Sequence, residues 1–94
     1  MSEADLVDEP SSTRLVLYTR SGCHLCEPAR DVVAEVAQQV GASWREVGID
    51  VGPDADALTE RFGEMVPVVT VDGVVQGYWR LDPVRLRRAL DGVR

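Results

Sequence analysis

Cys23 and Cys26 are the two cysteines of this 94-residue chain, and only His24 and Leu25 stand between them. Two thiols at C-x-x-C spacing serve two chemistries, a dithiol that closes reversibly to a disulfide, or part of a zinc or iron–sulfur site. Tetrahedral zinc takes four ligands. One chain brings two cysteines and one adjacent histidine, so a metal site would need a second copy. In the redox reading, a thiolate attacks a disulfide sulfur and a neighbouring thiol then resolves the mixed disulfide. A third reading is an adaptor whose cysteines are idle. Spacing alone leaves all three open, and the surrounding elements weigh between them.

"RLVLYT" (Arg14 to Thr19) is a short apolar run bounded by "RSG" and reads as a buried strand. Beyond the cysteines, Ala29, Val32, Val33, Val36, Ala37 and Val40 recur at helical spacing, and Gly41 supplies a stop. The pair therefore falls where a strand hands over to a helix. A helix start offers unpaired N–H groups and the positive end of its dipole. Such a site can lower a cysteine pKa from about 8.5 to between roughly 3.5 and 7.5. Cys23, at the loop edge, is expected to be exposed and to act as nucleophile. Cys26, in the first turn, is placed to resolve. His24, when protonated, would favour the Cys23 thiolate, against the plainer reading of a solvent-facing residue. Glu27 is a dipole partner for the first turn or a proton acceptor for Cys26. Pro28 either marks the helix start or kinks its first turn.

Downstream, "SWREVGID" (Ser43 to Asp50) is a second strand, and Pro53 opens a helix through "DADALTERFG" that stops at Gly63. "VVTV" and "VVQGYW" flank Asp72-Gly73, a strong hairpin signal. Asp82-Pro83 caps and starts a last helix, "PVRLRRALDGV". The order is β-α-β-α-β-β-α, an α/β arrangement with a four-stranded mixed sheet flanked by helices. Residues 14–94 make one domain. Residues 1–13, acidic with Pro10 and a Ser-Ser-Thr run, are expected to be a disordered tail.

A hydrophobic content of 45% with 28% charged residues is ordinary for a globular domain. Two cysteines are too few for a disulfide scaffold, so apolar packing must hold the fold. The net charge of −6 argues against sequence-independent binding to nucleic acid or anionic membranes. No apolar run approaches the roughly 20 residues of a membrane span. The N-terminus lacks the basic start and apolar stretch of a signal peptide. The expected location is the cytoplasm, where a close thiol pair is more often catalytic or metal-binding than structural.

"YTRSGCHLC" followed by "MVPVVTVDG", in this order of strands and helices, resembles the glutaredoxins, within the thioredoxin fold, over roughly residues 14–92. The resemblance implies a thiol–disulfide oxidoreductase of thioredoxin-like, glutaredoxin-type fold. It implies a cis bond before Pro67, set beside the cysteines. It also implies that the backbone of Val66 pairs with a bound thiol substrate. Arg20 matches a position where glutaredoxins carry a lysine for a glutathione carboxylate, and Leu25 the place of an aromatic residue. Met65 stands where a threonine is usual. "GYWRLD" keeps Gly77, puts Tyr78 in place of a second glycine and displaces the acid to Asp82. The implied partners are disulfide-bearing proteins or small thiols, with glutathione or another low-molecular-weight thiol as co-substrate. No tightly bound cofactor or metal is implied, and a monomer is expected.

Two readings stand for Tyr78 and Trp79, a substrate groove or packing against the last helix. Trp44 reads as core. Arg85, Arg87 and Arg88 read as a solvated helix end that favours the dipole.

Overall fold

A computed structural model describes residues 14–91. The expected tail and residues 92–94 lie outside the described residues. The elements follow the expected order: β1 (Leu15–Thr19), α1 (Cys26–Val40), β2 (Trp44–Gly48), α2 (Ala55–Phe62), β3 (Val68–Val71), β4 (Val74–Tyr78) and α3 (Pro83–Leu90).

The sheet order is β2-β1-β3-β4. β1 pairs with β2 in parallel from Leu15–Trp44 to Thr19–Gly48. It pairs with β3 antiparallel, as β3 does with β4. Hydrophobicity tracks this order. The central strands β1 and β3 are buried almost throughout and read as continuous apolar runs, while β2 and β4 at the edges are partly exposed. Between Val69 and Thr70 the register against β4 shifts, which leaves Gln76 as the extra residue of a bulge.

Side chains of a strand alternate between faces, and the core divides accordingly. On one face Leu15, Leu17, Val69 and Val71 pack against α1 (Ala29, Val33, Val36, Ala37) and α3 (Leu86, Leu90), with Trp44 half-buried at the margin. On the other, Val68, Ile49, Val66 and Phe62 of α2 form a smaller cluster that Tyr18 and Cys23 adjoin. The Tyr18 and Phe62 rings lie 4.7 Å apart.

Local signals are met at most boundaries. Gly41 ends α1 at φ 72°, the left-handed conformation of a glycine stop, and the N–H of Ala42 reaches back to the carbonyl of Ala37 (2.9 Å). Asp72 (φ 54°) and Gly73 (φ 85°) make the two-residue turn with both φ positive. Asp82 Oδ1 accepts from the N–H of Val84 (3.0 Å) and of Arg85 (3.5 Å), and Pro83 follows at the first helical position. Several boundaries differ from expectation, most by a residue or two, with β4 ending at Tyr78 and α3 at Leu90. β2 stops at Gly48, and α2 begins at Ala55 because Pro53 and Asp54 form a turn before it.

At the far end of the sheet, Arg14 clasps the hairpin turn. Its Nε and Nη2 donate to the two carboxylate oxygens of Asp72 (2.9 and 3.0 Å), and Nη1 donates to the Leu90 carbonyl (3.2 Å). The near end gathers the C-termini of β1 and β4, the N-terminus of β3 and the start of α1. That end carries the cysteines.

Candidate functional site

Cys23 and Cys26 are joined by a disulfide, with their Cα atoms 5.4 Å apart. Cys26 is the first residue of α1 and is buried at 1% exposure. Pro28 is the third residue of α1, so it does not mark the helix start; its missing N–H falls among the first-turn donors that lack an intrahelical partner. Cys23 departs from expectation. It is half-buried rather than exposed, because the Ile49–Phe62–Val66–Val68 cluster extends beneath the motif loop and its side chain packs against it.

Three sets of contacts hold this loop. The Ser21 N–H donates to Asp50 Oδ2 (3.2 Å). Bonds from the Ser21 side chain and N–H hold the Asp50 carboxyl below its usual range, with smaller help from the Arg20 charge. Arg20 Nη1 donates to the Gly63 carbonyl at the end of α2 (3.0 Å), which ties the loop to the opposite layer. Behind the loop, Glu46 Oε2 accepts from the buried Thr19 hydroxyl (2.7 Å), and both Glu46 oxygens accept from Arg30 (2.8 Å each). Arg30 first, then Thr19, lower the Glu46 pKa against the opposing cost of burial. Arg30 stands one helical turn after Cys26.

Val66-Pro67 is a cis peptide bond, as the resemblance implies, and both residues are buried. The Pro67 carbonyl accepts from the N–H of Trp79 (2.9 Å), which links the segment before β3 to the residue after β4.

Two concavities flank the disulfide. On one side Arg20, Ser21, Gly22, Cys23, His24, Glu27 and Arg30 line an open polar cleft of about 380 Å³. On the other, Leu25, Tyr78, Trp79 and Arg80 line a groove of about 420 Å³. The alternative of core packing for Tyr78 and Trp79 is overturned. They are 45% and 52% exposed, with rings edge-to-face at 5.1 Å. The reason is backbone geometry, since Trp79 has φ 64°, which turns the chain out of β4 and leaves its ring on the surface.

Of the residues singled out from sequence, the structure brings Cys23, His24, Glu27 and Arg20 to the polar cleft, and Leu25 and Tyr78 to the groove. Val66 and Pro67 are buried, Val66 in the cluster against which Cys23 packs. Gly77 lies within β4 opposite Val69 and beneath Leu81. Asp82 is committed to capping α3. Arg87 of the arginine-rich helix reaches Gln39 of α1 (2.7 Å), while Arg85 and Arg88 are exposed. Sequence reasoning missed Thr19, Arg30, Glu46 and Asp50, whose roles depend on contacts between elements. Trp79 was visible as an aromatic, but its left-handed backbone was not.

The profile of the family described as "Glutaredoxin-like domain (DUF836)" matches residues 14–91. The chain belongs to this glutaredoxin-like family, and its fold is that of the thioredoxin superfamily. The Mycobacterium tuberculosis protein described as "Uncharacterized protein Rv0508" is 33% identical over 79 residues, 82% of this chain and 81% of that protein. The X-ray structure of target protein XcR50 from X. campestris matches with a TM-score of 0.66 at 34% identity, over 85% of this chain and 99% of the other. Oxidised thioredoxin O2 from Arabidopsis thaliana shares the fold, with a TM-score of 0.60 at 22% identity over 98% of this chain and 89% of its own. Among the described residues no helix is long and apolar enough to cross a membrane.

Proposed function

We propose that this protein is a thiol–disulfide oxidoreductase in which Cys23 is the nucleophile and Cys26 the resolving thiol. The observation that carries the reading is the Cys23–Cys26 disulfide, formed where β1 passes into α1 and asymmetric in burial. A fully buried thiol is a poor first attacker, and access favours Cys23.

In the reducing direction the Cys23 thiolate attacks one sulfur of a substrate disulfide. A Cys23–substrate bond forms, the substrate S–S bond breaks, and the leaving thiolate takes a proton from solvent. The Cys26 thiol loses its proton, and the resulting thiolate attacks the Cys23 sulfur. This closes the disulfide and releases the second substrate thiol. Two electrons pass from the dithiol to the substrate. Two equivalents of a low-molecular-weight thiol, glutathione or another, restore the dithiol and leave as their own disulfide. The start of α1 stabilises the Cys23 thiolate, with His24 beside it in the motif loop, and Glu27 complements the same dipole. Arg20 pairs with a carboxylate of the small thiol, and the Val66 backbone lies along the bound substrate. The substrates are disulfide-bearing proteins or small-thiol mixed disulfides, handled by a monomer in the cytoplasm.

The test is trapping. Cys26→Ser is expected to accumulate a mixed disulfide on Cys23, identified by mass spectrometry after purification without reductant. A Cys26→Ser protein that exposed to disulfides carries no adduct on Cys23 contradicts the reading.

A further inference from the structure

Trp79 carries a combination of features that folding alone does not explain. A bulky residue at φ 64° is disfavoured. Here it is fixed from two sides, by its N–H to the Pro67 carbonyl (2.9 Å) and by its Nε1–H to the Glu64 carbonyl (3.0 Å). The result is a ring half in water, whose apolar face adds little to the core. A disfavoured backbone maintained to keep an aromatic surface exposed is a mark of recognition.

The surroundings define what is recognised. The groove of Leu25, Tyr78, Trp79 and Arg80 continues into a smaller lobe of about 180 Å³ between α1 and the start of α3, walled by Pro28, Val32 and Leu81 among others. Leu25 lies between the two cysteines, so one end of the groove abuts the disulfide. Through Trp79 the other wall is bonded to the cis-Pro67 carbonyl. Among the described residues Arg80 is the only charged side chain lining either lobe, although the chain as a whole carries a net charge of −6.

We infer that this groove is a docking site for a disulfide-bearing partner protein, and that its occupant is a segment with an aromatic side chain and a carboxylate next to the reacting cysteine. The ring packs on Trp79 and Leu25, the carboxylate pairs with Arg80, and the cysteine is thereby delivered to Cys23. The purpose of the site rests on the oxidoreductase reading, but its existence is tested without turnover.

The test is a nuclear magnetic resonance titration of the oxidised protein with two short synthetic peptides. One carries phenylalanine and glutamate beside a serine that replaces the cysteine; the other carries serine and lysine in place of those two. The first is expected to bind about tenfold more tightly, with shifts at Leu25 and the Trp79 indole N–H. Trp79→Gly, which suits the left-handed backbone, is expected to remove the larger part of that ratio and leave only the smaller part due to the Arg80–glutamate pair. Arg80→Glu, an exposed change, is expected to reverse the preference between glutamate and lysine when phenylalanine is kept. Equal affinities for the wild-type protein overturn the inference, as does a ratio that Trp79→Gly leaves unchanged. Oxidised glutathione shifting the groove residues while the peptides do not would also overturn it, and assign the groove to a small thiol. Because no disulfide turns over in this titration, failed trapping on Cys23 and failed peptide binding are separate results.

Discussion

The two flanks of the Cys23–Cys26 disulfide are built on opposite principles. On the polar flank several charged side chains are engaged within the protein. Arg30 grips Glu46, Asp50 holds the Ser21 N–H, and Arg20 donates to the Gly63 carbonyl. On the aromatic flank Tyr78 and Trp79 leave large apolar faces in solvent. Side chains that satisfy one another fix a loop in place, whereas exposed rings gain from being covered. The polar flank holds the motif in place, with Arg20 keeping donors beyond the one given to Gly63, and the aromatic flank offers uncovered apolar surface.

The largest effect lies at the seam between them. Cys23→Ser is expected to lower disulfide-reductase activity by roughly a thousandfold or more, as removal of a covalent nucleophile does. Activity that survived in this variant would show that neither flank serves Cys23 chemistry.

On the polar flank, Glu46→Gln weakens the clasp on Arg30 and should cost about 1 kcal/mol at neutral pH, discounted for solvent at a side chain 30% exposed. Because folding lowers the Glu46 pKa from 4.5, its carboxylate stabilises the protein above that value. This contribution is lost as pH falls through the lower folded pKa. Denaturant unfolding of both proteins should therefore show a gap at neutral pH that closes in acid. A gap that is independent of pH would assign the effect to packing rather than charge.

On the aromatic flank the left-handed backbone at residue 79 inverts the usual order of alanine and glycine. Trp79→Ala keeps the disfavoured φ, and Trp79→Gly relieves it, so the glycine variant should be the more stable by about 1 kcal/mol. In an ordinary strand or helix the order is reversed. Thermal melts of the two variants give the comparison, and a more stable alanine variant would show that the Trp79 backbone relaxes when the ring is gone.

Smallest is the clasp remote from both flanks. Arg14→Ala removes an exposed two-bond contact to Asp72 and should cost under about 1 kcal/mol with no change in activity.

What could be read from sequence was what depends on neighbours along the chain. The 3.6-residue spacing from Ala29 to Val40, the Asp72-Gly73 turn and the Asp82-Pro83 cap each specify local structure, and the element order followed. The cis bond at Pro67 came from the family resemblance, since a lone Val-Pro carries no such signal. What stayed hidden depends on distant residues meeting. Cys23 is half-buried because Phe62 and Ile49 arrive beneath it from elements far along the chain. Glu46 looked like one more polar residue of an edge strand, and only the packing of α1 over β2 brings Arg30 to it. Trp79 looked equally suited to core or surface, and the register of β4 together with one positive φ decided for the surface.

The roles of the two thiols are read from the order in which they react with iodoacetamide in the reduced protein, followed by peptide mapping at short times. Cys23 is expected to be alkylated first, with Cys26, buried at the head of α1, lagging well behind. Alkylation of Cys26 first, or of both at equal rates, would contradict the assignment of nucleophile and resolving thiol.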